Sequence, residues 1–160
     1  MQLKEQTPTL YEWAGGMPVF ERLMETFYQK VFRDEILSPI FTHMSSEHQR
    51  HVSHFVAEVF GGPTVYSDSE GSHYQMIKKH LGKHLTEIHR SRWVEFLAKS
   101  ANEIDLPGDP EFRSAFVAYI EWGTRIAMLN SNADSIPLNE DEPMPKLGWG
   151  VPGGPYMPEK

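Results

Sequence analysis

Cysteine is absent from the 160 residues, which excludes structural disulfides and thiolate-held metals. Long apolar runs are absent too: no stretch approaches the ~18 residues that a membrane-spanning helix needs. The opening "MQLKEQTPTLYEW" has no basic start followed by an apolar run, so no signal peptide is expected. These absences fit a cytoplasmic protein without a membrane partner. Positive charge is scarce as well. Fifteen Lys and Arg face 22 Asp and Glu, a net charge of −7. The basic residues are scattered rather than gathered into the stripe that phosphate binding requires, so nucleic acid is not an expected partner. Internal repeats and strand-like alternation are missing, which leaves helices as the regular structure.

A chain of this length is expected to form one core and to bury roughly 70% of its unfolded surface. The recurring signal is helical spacing. Phe20, Leu23, Met24, Phe27, Tyr28, Val31 and Phe32 fall on one helical face, entered through the turn at Gly15-Gly16. Ser38-Pro39 should end the segment that follows, because the residue before proline avoids the α region. A second helix is expected from about Ser46 to Phe60, with Ser45 or Ser46 as N-cap, Val52, Phe55, Val56 and Val59 as its inner stripe, and "GGP" as its stop. "TVYSDSEGS" reads as loop. A short helix carries Met76, Ile77, His80, Leu81 and His84 inward until Gly82 weakens it. Thr86 caps a helix over about 87–103, facing inward with Trp93, Phe96, Leu97, Ser100 and Ile104. Asp109 and Pro110 start the last helix, about 110–130, with Phe112, Phe116, Ile120, Gly123 and Ile126 or Ala127 inside.

After Ser131 the texture changes. Residues 131–160 hold six of the twelve prolines and four of the twelve glycines, which rules out a long helix. The chain divides into a helical domain, 1–132, and a Pro/Gly-rich extension, 133–160. Trp149 and Tyr156 favour docking of that extension on the domain, since aromatic residues are depleted in disordered tails.

The eight histidines are the chemical question. His48, His51 and His54 stand at successive third positions, but the outer two diverge by about 120° on a helix, so the three do not converge on one zinc ion. His48 continues the inner stripe four residues before Val52, whereas His51 and His54 lean to its edge. His80 and His84 have the i, i+4 spacing of zinc ligands, yet Leu81, not glutamate, follows the first of them. His80 shares the inner face of Met76 and Ile77, where an imidazole needs a partner for its nitrogens. A core histidine bonded to a backbone carbonyl and a ligand-binding histidine both satisfy that need. Tyr28 in mid-stripe and Trp93 on a buried face raise the same question for their O–H and N–H. Apolar walls with a few placed polar groups describe a cofactor pocket.

The segments "LYEWAGG", "FYQKVF", "SPIF", "AEVFGGPTVYS", "KKHLG", "RSRWVEFL" and "DPEFRSAFVAYIEWGTRIAMLNSN" occur in this order. Together, over about residues 10–132, they resemble the group II truncated haemoglobins, small globins with a two-over-two helical sandwich. The resemblance implies an all-α truncated-globin fold around a haem b. It implies that His80, thirteen residues before Trp93, is the axial iron ligand, with His84 a bystander outside. Tyr28 matches the distal tyrosine and Phe41 the aromatic wall residue thirteen further on; Val52 and Phe55 match positions lining the distal face. Met76 and Leu81 would complete the haem pocket, and His51, Tyr66, His73 and Lys79 would meet the haem propionates. One departure stands out: His48 occupies a gate position where the family carries a small residue. It could hydrogen-bond a bound ligand, block the short entry path or ligate iron itself.

The resemblance implies binding of O2, NO and CO under Tyr28 and Trp93. Two donors on a bound ligand would slow its release, which suits NO, O2 or peroxide redox chemistry, or ligand sensing, better than bulk transport. Such turnover, as an NO dioxygenase or a peroxidase, would draw electrons from an unidentified external reductase. The alternatives are a simple oxygen carrier or store, and a haem-free module holding zinc through His80 and His84 or serving protein interaction.

Overall fold

The computed structural model describes residues 7–155. The first helix, α1 (Leu10–Ala14), is fixed by a capping box: the Glu12 N–H donates to Thr9 Oγ1 at 3.0 Å, and the Glu12 carboxylate reaches back to the Thr9 N–H. Gly15 and Gly16 then take φ of +119° and +87°, a region that side-chain-bearing residues avoid. That sharp turn launches α2 (Met17–Arg33), with proline in its first turn. Phe20, Leu23, Met24, Phe27, Tyr28 and Val31 are all buried, and each large apolar side chain so buried contributes roughly 1.5–3 kcal/mol. Phe32, expected on the same face, is 51% exposed. Twelve residues beyond Phe20, at about 100° per residue, it has rotated about 120° off the stripe.

Ser38-Pro39 does not end a segment. Pro39 sits in the first turn of a 3-10 helix, Ser38–Phe41, where a missing N–H costs nothing. The entry to it is fixed by Asp34, whose carboxylate accepts the N–H groups of Ile36 and Leu37 at 3.1 and 2.9 Å. The next helix, α3 (His48–Val59), has no serine cap. Glu47 stands at its N-cap without a side-chain bond, and the His48 N–H closes on the Ser45 carbonyl at 3.1 Å instead.

The stretch expected as loop contains a helix, α4 (Val65–Ser69). Its cause lies in α3. Glu58 is 4% exposed, and its carboxylate accepts the Ser67 N–H at 3.0 Å and the Ser67 hydroxyl at 2.7 Å. A buried carboxylate must be satisfied, and coiling of 65–69 supplies the donors. Next, α5 (His73–Lys78) is capped by Ser72, whose hydroxyl accepts the Gln75 N–H at 3.1 Å. After it, α6 (Glu87–Glu103) begins where the Thr86 N–H donates to His89 Nδ1 at 2.9 Å. Last, α7 (Pro110–Ser131) begins at Asp109, whose side chain accepts the Phe112 N–H at 2.9 Å and the Trp13 indole N–H at 2.8 Å. One carboxylate thus caps the last helix and ties it to the first.

The long helices form two pairs. α2 packs along α3, α6 packs along α7, and α2 crosses α6 to join the layers. No strand occurs among the described residues, and no helix there is long and apolar enough to cross a membrane. Beyond Asn132 the described chain carries no further helix and runs back over the domain. The Leu147 N–H donates to the Val59 carbonyl at 2.8 Å, and the Trp149 indole N–H donates to the Pro8 carbonyl at 2.8 Å. The Trp149 ring meets Trp13 and Phe112 edge-on, at centroid distances of 6.3 and 6.4 Å. Tyr156 lies outside the described residues.

Candidate functional site

Where the two layers separate, beside α5, a cavity of about 350 Å³ opens. Tyr28, Phe41, His48, Val52, Phe55, His73, Met76, Lys79, His80 and Trp93 line it, residues from five separate segments of the chain.

His80 follows the last turn of α5, its N–H bonded to the Ile77 carbonyl at 3.0 Å. Its Nδ1 lies 2.9 Å from the Met76 carbonyl oxygen. A carbonyl only accepts, so Nδ1 carries the proton and Nε2 keeps a free lone pair. Burial lowers the His80 pKa, the Met76 bond opposes that, and Lys83 and Lys79 add to the lowering. The ring is therefore neutral at neutral pH. It lies 6.1 Å from Trp93 and within 29° of parallel.

Tyr28 is 2% exposed, ringed by Phe27, Phe32, Phe41 and His48 at 5.0 to 6.0 Å. Burial, with Tyr119 adding, raises its pKa, and its hydroxyl has no hydrogen-bond partner among the described residues. It remains a protonated donor facing the cavity. The indole N–H groups of Trp13 and Trp149 are bonded, to Asp109 and Pro8; that of Trp93 has no partner among the described residues. His48 stands edge-on to Tyr28 at 6.0 Å and tilted against Phe41 at 6.4 Å. Burial, then Lys79, His80, His51 and Lys83, push its pKa down to about 4. Lys83 bridges the mouth, its ammonium donating to the Ile40 carbonyl at 3.3 Å. Burial lowers the Lys79 pKa, against Glu70. His73 is 9% exposed, its pKa lowered by burial, and it sits 6.2 Å from Trp122.

Three expected pocket residues stand elsewhere. Leu81 does not line the cavity. α5 ends at Lys78, the chain turns through Gly82 at φ +80°, and Leu85 supplies the wall instead. Tyr66 does not reach the cavity either. Coiling of α4 turns it into the core, fully buried and edge-on to Phe55 at 5.2 Å. Its hydroxyl donates to the Ser72 carbonyl at 3.3 Å, and burial, with Glu70 and Glu58, pushes its pKa up to about 12. His51 points along the outer edge of α3, where its Nε2 lies 3.4 Å from Glu70 and 3.7 Å from Glu47. Glu70 also pairs with His54. His84 is exposed with φ +53°. Because α5 has ended before it, His80 and His84 share no helical face. Among the described residues no group of three His, Cys, Asp or Glu converges as a metal site.

The cavity also has walls that sequence reasoning missed: Tyr119 and Trp122 on α7, and His43 and Lys83 at the mouth. Tyr119 was findable, since it stands three residues after Phe116 and seven after Phe112 on the inner stripe. Trp122 falls at the edge of that stripe, where periodicity is silent.

The arrangement is a neutral imidazole with one free nitrogen, two unpartnered donors and a mostly apolar enclosure that also carries Lys79, Lys83, His48 and His73. The family model described as bacterial-like globin matches residues 9–121. The group 2 truncated hemoglobin YjbI of Bacillus subtilis is 27% identical over 96 residues, 60% of this chain and 72% of that protein. The group 1 truncated hemoglobin GlbN of Nostoc commune is 29% identical over 89 residues, 48% of this chain and 75% of that protein. Among solved structures, the group II truncated hemoglobin of Bacillus anthracis superposes with a TM-score of 0.69 at 25% identity, covering 77% of this chain and 92% of that one. The hemoglobin of Chloroflexus aurantiacus superposes with a TM-score of 0.68 at 30% identity, covering 76% and 98%. The chain belongs to the bacterial-like globin family and takes the all-helical fold of the truncated haemoglobins.

Proposed function

We propose that the cavity holds one haem b, that His80 Nε2 would ligate its iron, and that O2, NO or CO would bind within reach of the Tyr28 and Trp93 donors. The observation that carries this reading is the His80 tautomer: Nδ1 is committed to the Met76 carbonyl, which leaves Nε2 free within a mostly apolar enclosure. The residues fit the group. Phe41, Val52, Phe55 and Met76 supply apolar wall, and the cations Lys79 and Lys83 stand at the mouth, where two propionates need partners; His73 is a further propionate contact in this reading. When bound, haem supplies an open coordination position for a diatomic ligand and one-electron redox chemistry. The chain does the rest. Tyr28 and Trp93 each offer a donor to the partial negative charge on a bound ligand, worth roughly 0.5–1.5 kcal/mol per bond, and the apolar wall keeps competing water out.

Slow ligand release suits NO, O2 or peroxide redox chemistry, sustained by an external reductant, better than bulk transport. In this reading residues 1–132 are the haem-binding unit and 133–160 a strap upon it. The test is His80→Gly. The expected result is loss of haem and its violet absorption band, restored by added imidazole; wild-type haem content and spectra in that variant would overturn the axial assignment. Mixing the oxygenated protein with NO in stopped flow then separates redox enzyme from carrier.

A further inference from the structure

Four oxidisable rings line the cavity, Tyr28, Trp93, Tyr119 and Trp122, and they meet solvent differently. Tyr28 is 2% exposed, and its nearest rings are Phe27, Phe32, Phe41 and His48. Trp93 is flanked by Phe27, Phe41 and His80. Phenylalanine does not give up an electron at potentials reached in proteins, so neither ring has an onward aromatic route, and Trp93 itself is only partly exposed.

On α7 the situation differs. Trp122 lines the cavity and is 42% exposed, more than Trp93 and Tyr119, which are only partly exposed, and more than Tyr28 at 2%. Tyr119, 6.4 Å from Trp122, is an inferior resting place for an oxidising equivalent. It is only partly exposed, desolvation raises its pKa, and its hydroxyl makes no hydrogen bond among the described residues. An indole that loses an electron need only shed its N–H proton, and a ring 42% exposed can pass it to solvent. No role in holding a diatomic ligand falls to this residue.

We propose that Trp122 is a surface oxidation site, through which phenols or aromatic amines too large for the cavity deliver electrons to it. The inference rests on the haem reading above, with hydrogen peroxide as the oxidant. Peroxide takes up two electrons and two protons and gives two waters. Each electron leaves the Trp122 indole, which releases its N–H proton to solvent. A phenol against the exposed ring returns one electron and one proton to the indole and departs as a phenoxyl radical. Two phenols are consumed per peroxide: H2O2 + 2 ArOH → 2 H2O + 2 ArO•.

The experiment uses the haem-loaded full-length chain, treated with stoichiometric peroxide. Without a donor, the expected result is an indole radical by electron paramagnetic resonance and oxygen added to Trp122 in peptide mapping. With 2,6-dimethoxyphenol present, both marks should disappear. Trp122→Phe should lower oxidation of that phenol by about tenfold or more, and Trp122→Tyr, which restores an oxidisable ring, should recover part of it. Peroxide consumption that leaves Trp122 unmarked while Tyr28, Trp93 or Tyr119 is modified overturns the proposal, as does an undiminished rate in Trp122→Phe. If that variant does not fold, the mapping of the unsubstituted chain decides alone. A chain that takes up no haem overturns this proposal together with the haem reading, and the absorption spectrum tells the two failures apart.

Discussion

Replacing Tyr28 by Phe should move stability and ligand retention in opposite directions. Tyr28 is buried as a residue, and its hydroxyl faces the cavity with no protein partner among the described residues. Removing an unsatisfied hydroxyl while keeping the ring relieves a desolvation cost and leaves no orphan behind, so the haem-free protein should be unchanged or more stable by up to about 1 kcal/mol. The ring itself keeps its contacts with Phe27 and Phe41. In the haem-loaded protein the same change deletes a donor to the bound ligand. A loss of roughly 0.5–1.5 kcal/mol corresponds to oxygen release about 2- to 12-fold faster, and about 3 kcal/mol, the upper range for a charged acceptor, to about 140-fold. Denaturant unfolding of the haem-free chain and stopped-flow displacement of O2 by CO measure the two quantities. Destabilisation of the haem-free chain by more than about 1 kcal/mol would mean that the hydroxyl serves the fold. An unaltered release rate would mean that it serves no ligand.

Trp149→Ala should lower unfolding free energy by about 2–3 kcal/mol, from lost packing on Trp13 and Phe112 and a lost bond to Pro8; an unchanged urea midpoint would show that the extension contributes nothing to the domain. Glu58→Ala strips the Ser67 N–H and hydroxyl of their carboxylate acceptors and leaves the hydroxyl only the longer bond to the Thr64 carbonyl, at 3.5 Å. It should cost about 1.5–3 kcal/mol, and hydrogen exchange should accelerate across residues 65–69 before the rest of the chain. His48 has a folded pKa pushed down to about 4, below its ordinary ~6.5. The unfolded chain therefore binds more protons between those values, and the haem-free protein loses stability as pH falls from about 6.5 to about 4, by on the order of 1–2 kcal/mol after solvent screening. His80 and His73, also lowered, act with the same sign, so His48→Gln should flatten the profile of urea midpoints against pH only in part. A profile identical to that of the unsubstituted chain would refute the His48 contribution.

The long helices were legible because their signals are local. Thr86, Asp109 and Pro110 mark starts, glycines mark stops, and the stripes of α2 and α7 repeat over three or more turns. Residues carried on the stripes of α2 and α6, Tyr28 and Trp93 among them, reach the cavity as spacing implied. What failed was non-local. α4 owes its existence to Glu58, a carboxylate in the core of another helix, and the burial of Tyr66 follows from it. Leu81 was misplaced because the register of α5 was carried three residues beyond its end at Lys78. Periodicity cannot report where a helix stops when no glycine or proline stands at the boundary.

His48 shows how the surroundings of a site set its chemistry. The chain is acidic overall, with a net charge of −7, yet at the cavity His48 lies near Lys79 and Lys83. Neutral sites are what those cations favour: each disfavours a further positive charge, and burial acts in the same direction. A neutral imidazole has one N–H and one lone pair. It can donate to a bound ligand or offer its lone pair to a metal, but the same ring nitrogen cannot do both. The Tyr28 ring edge at 6.0 Å and the Phe41 ring at 6.4 Å limit how the imidazole can turn, so the choice falls on the tautomer. Burial is the first cause that lowers the His48 pKa and Lys83 the last, so Lys83→Glu should raise it only part of the way and leave the ring neutral at neutral pH. The two roles separate in His48→Gln instead, since an amide keeps an N–H donor and has no imidazole lone pair for a metal.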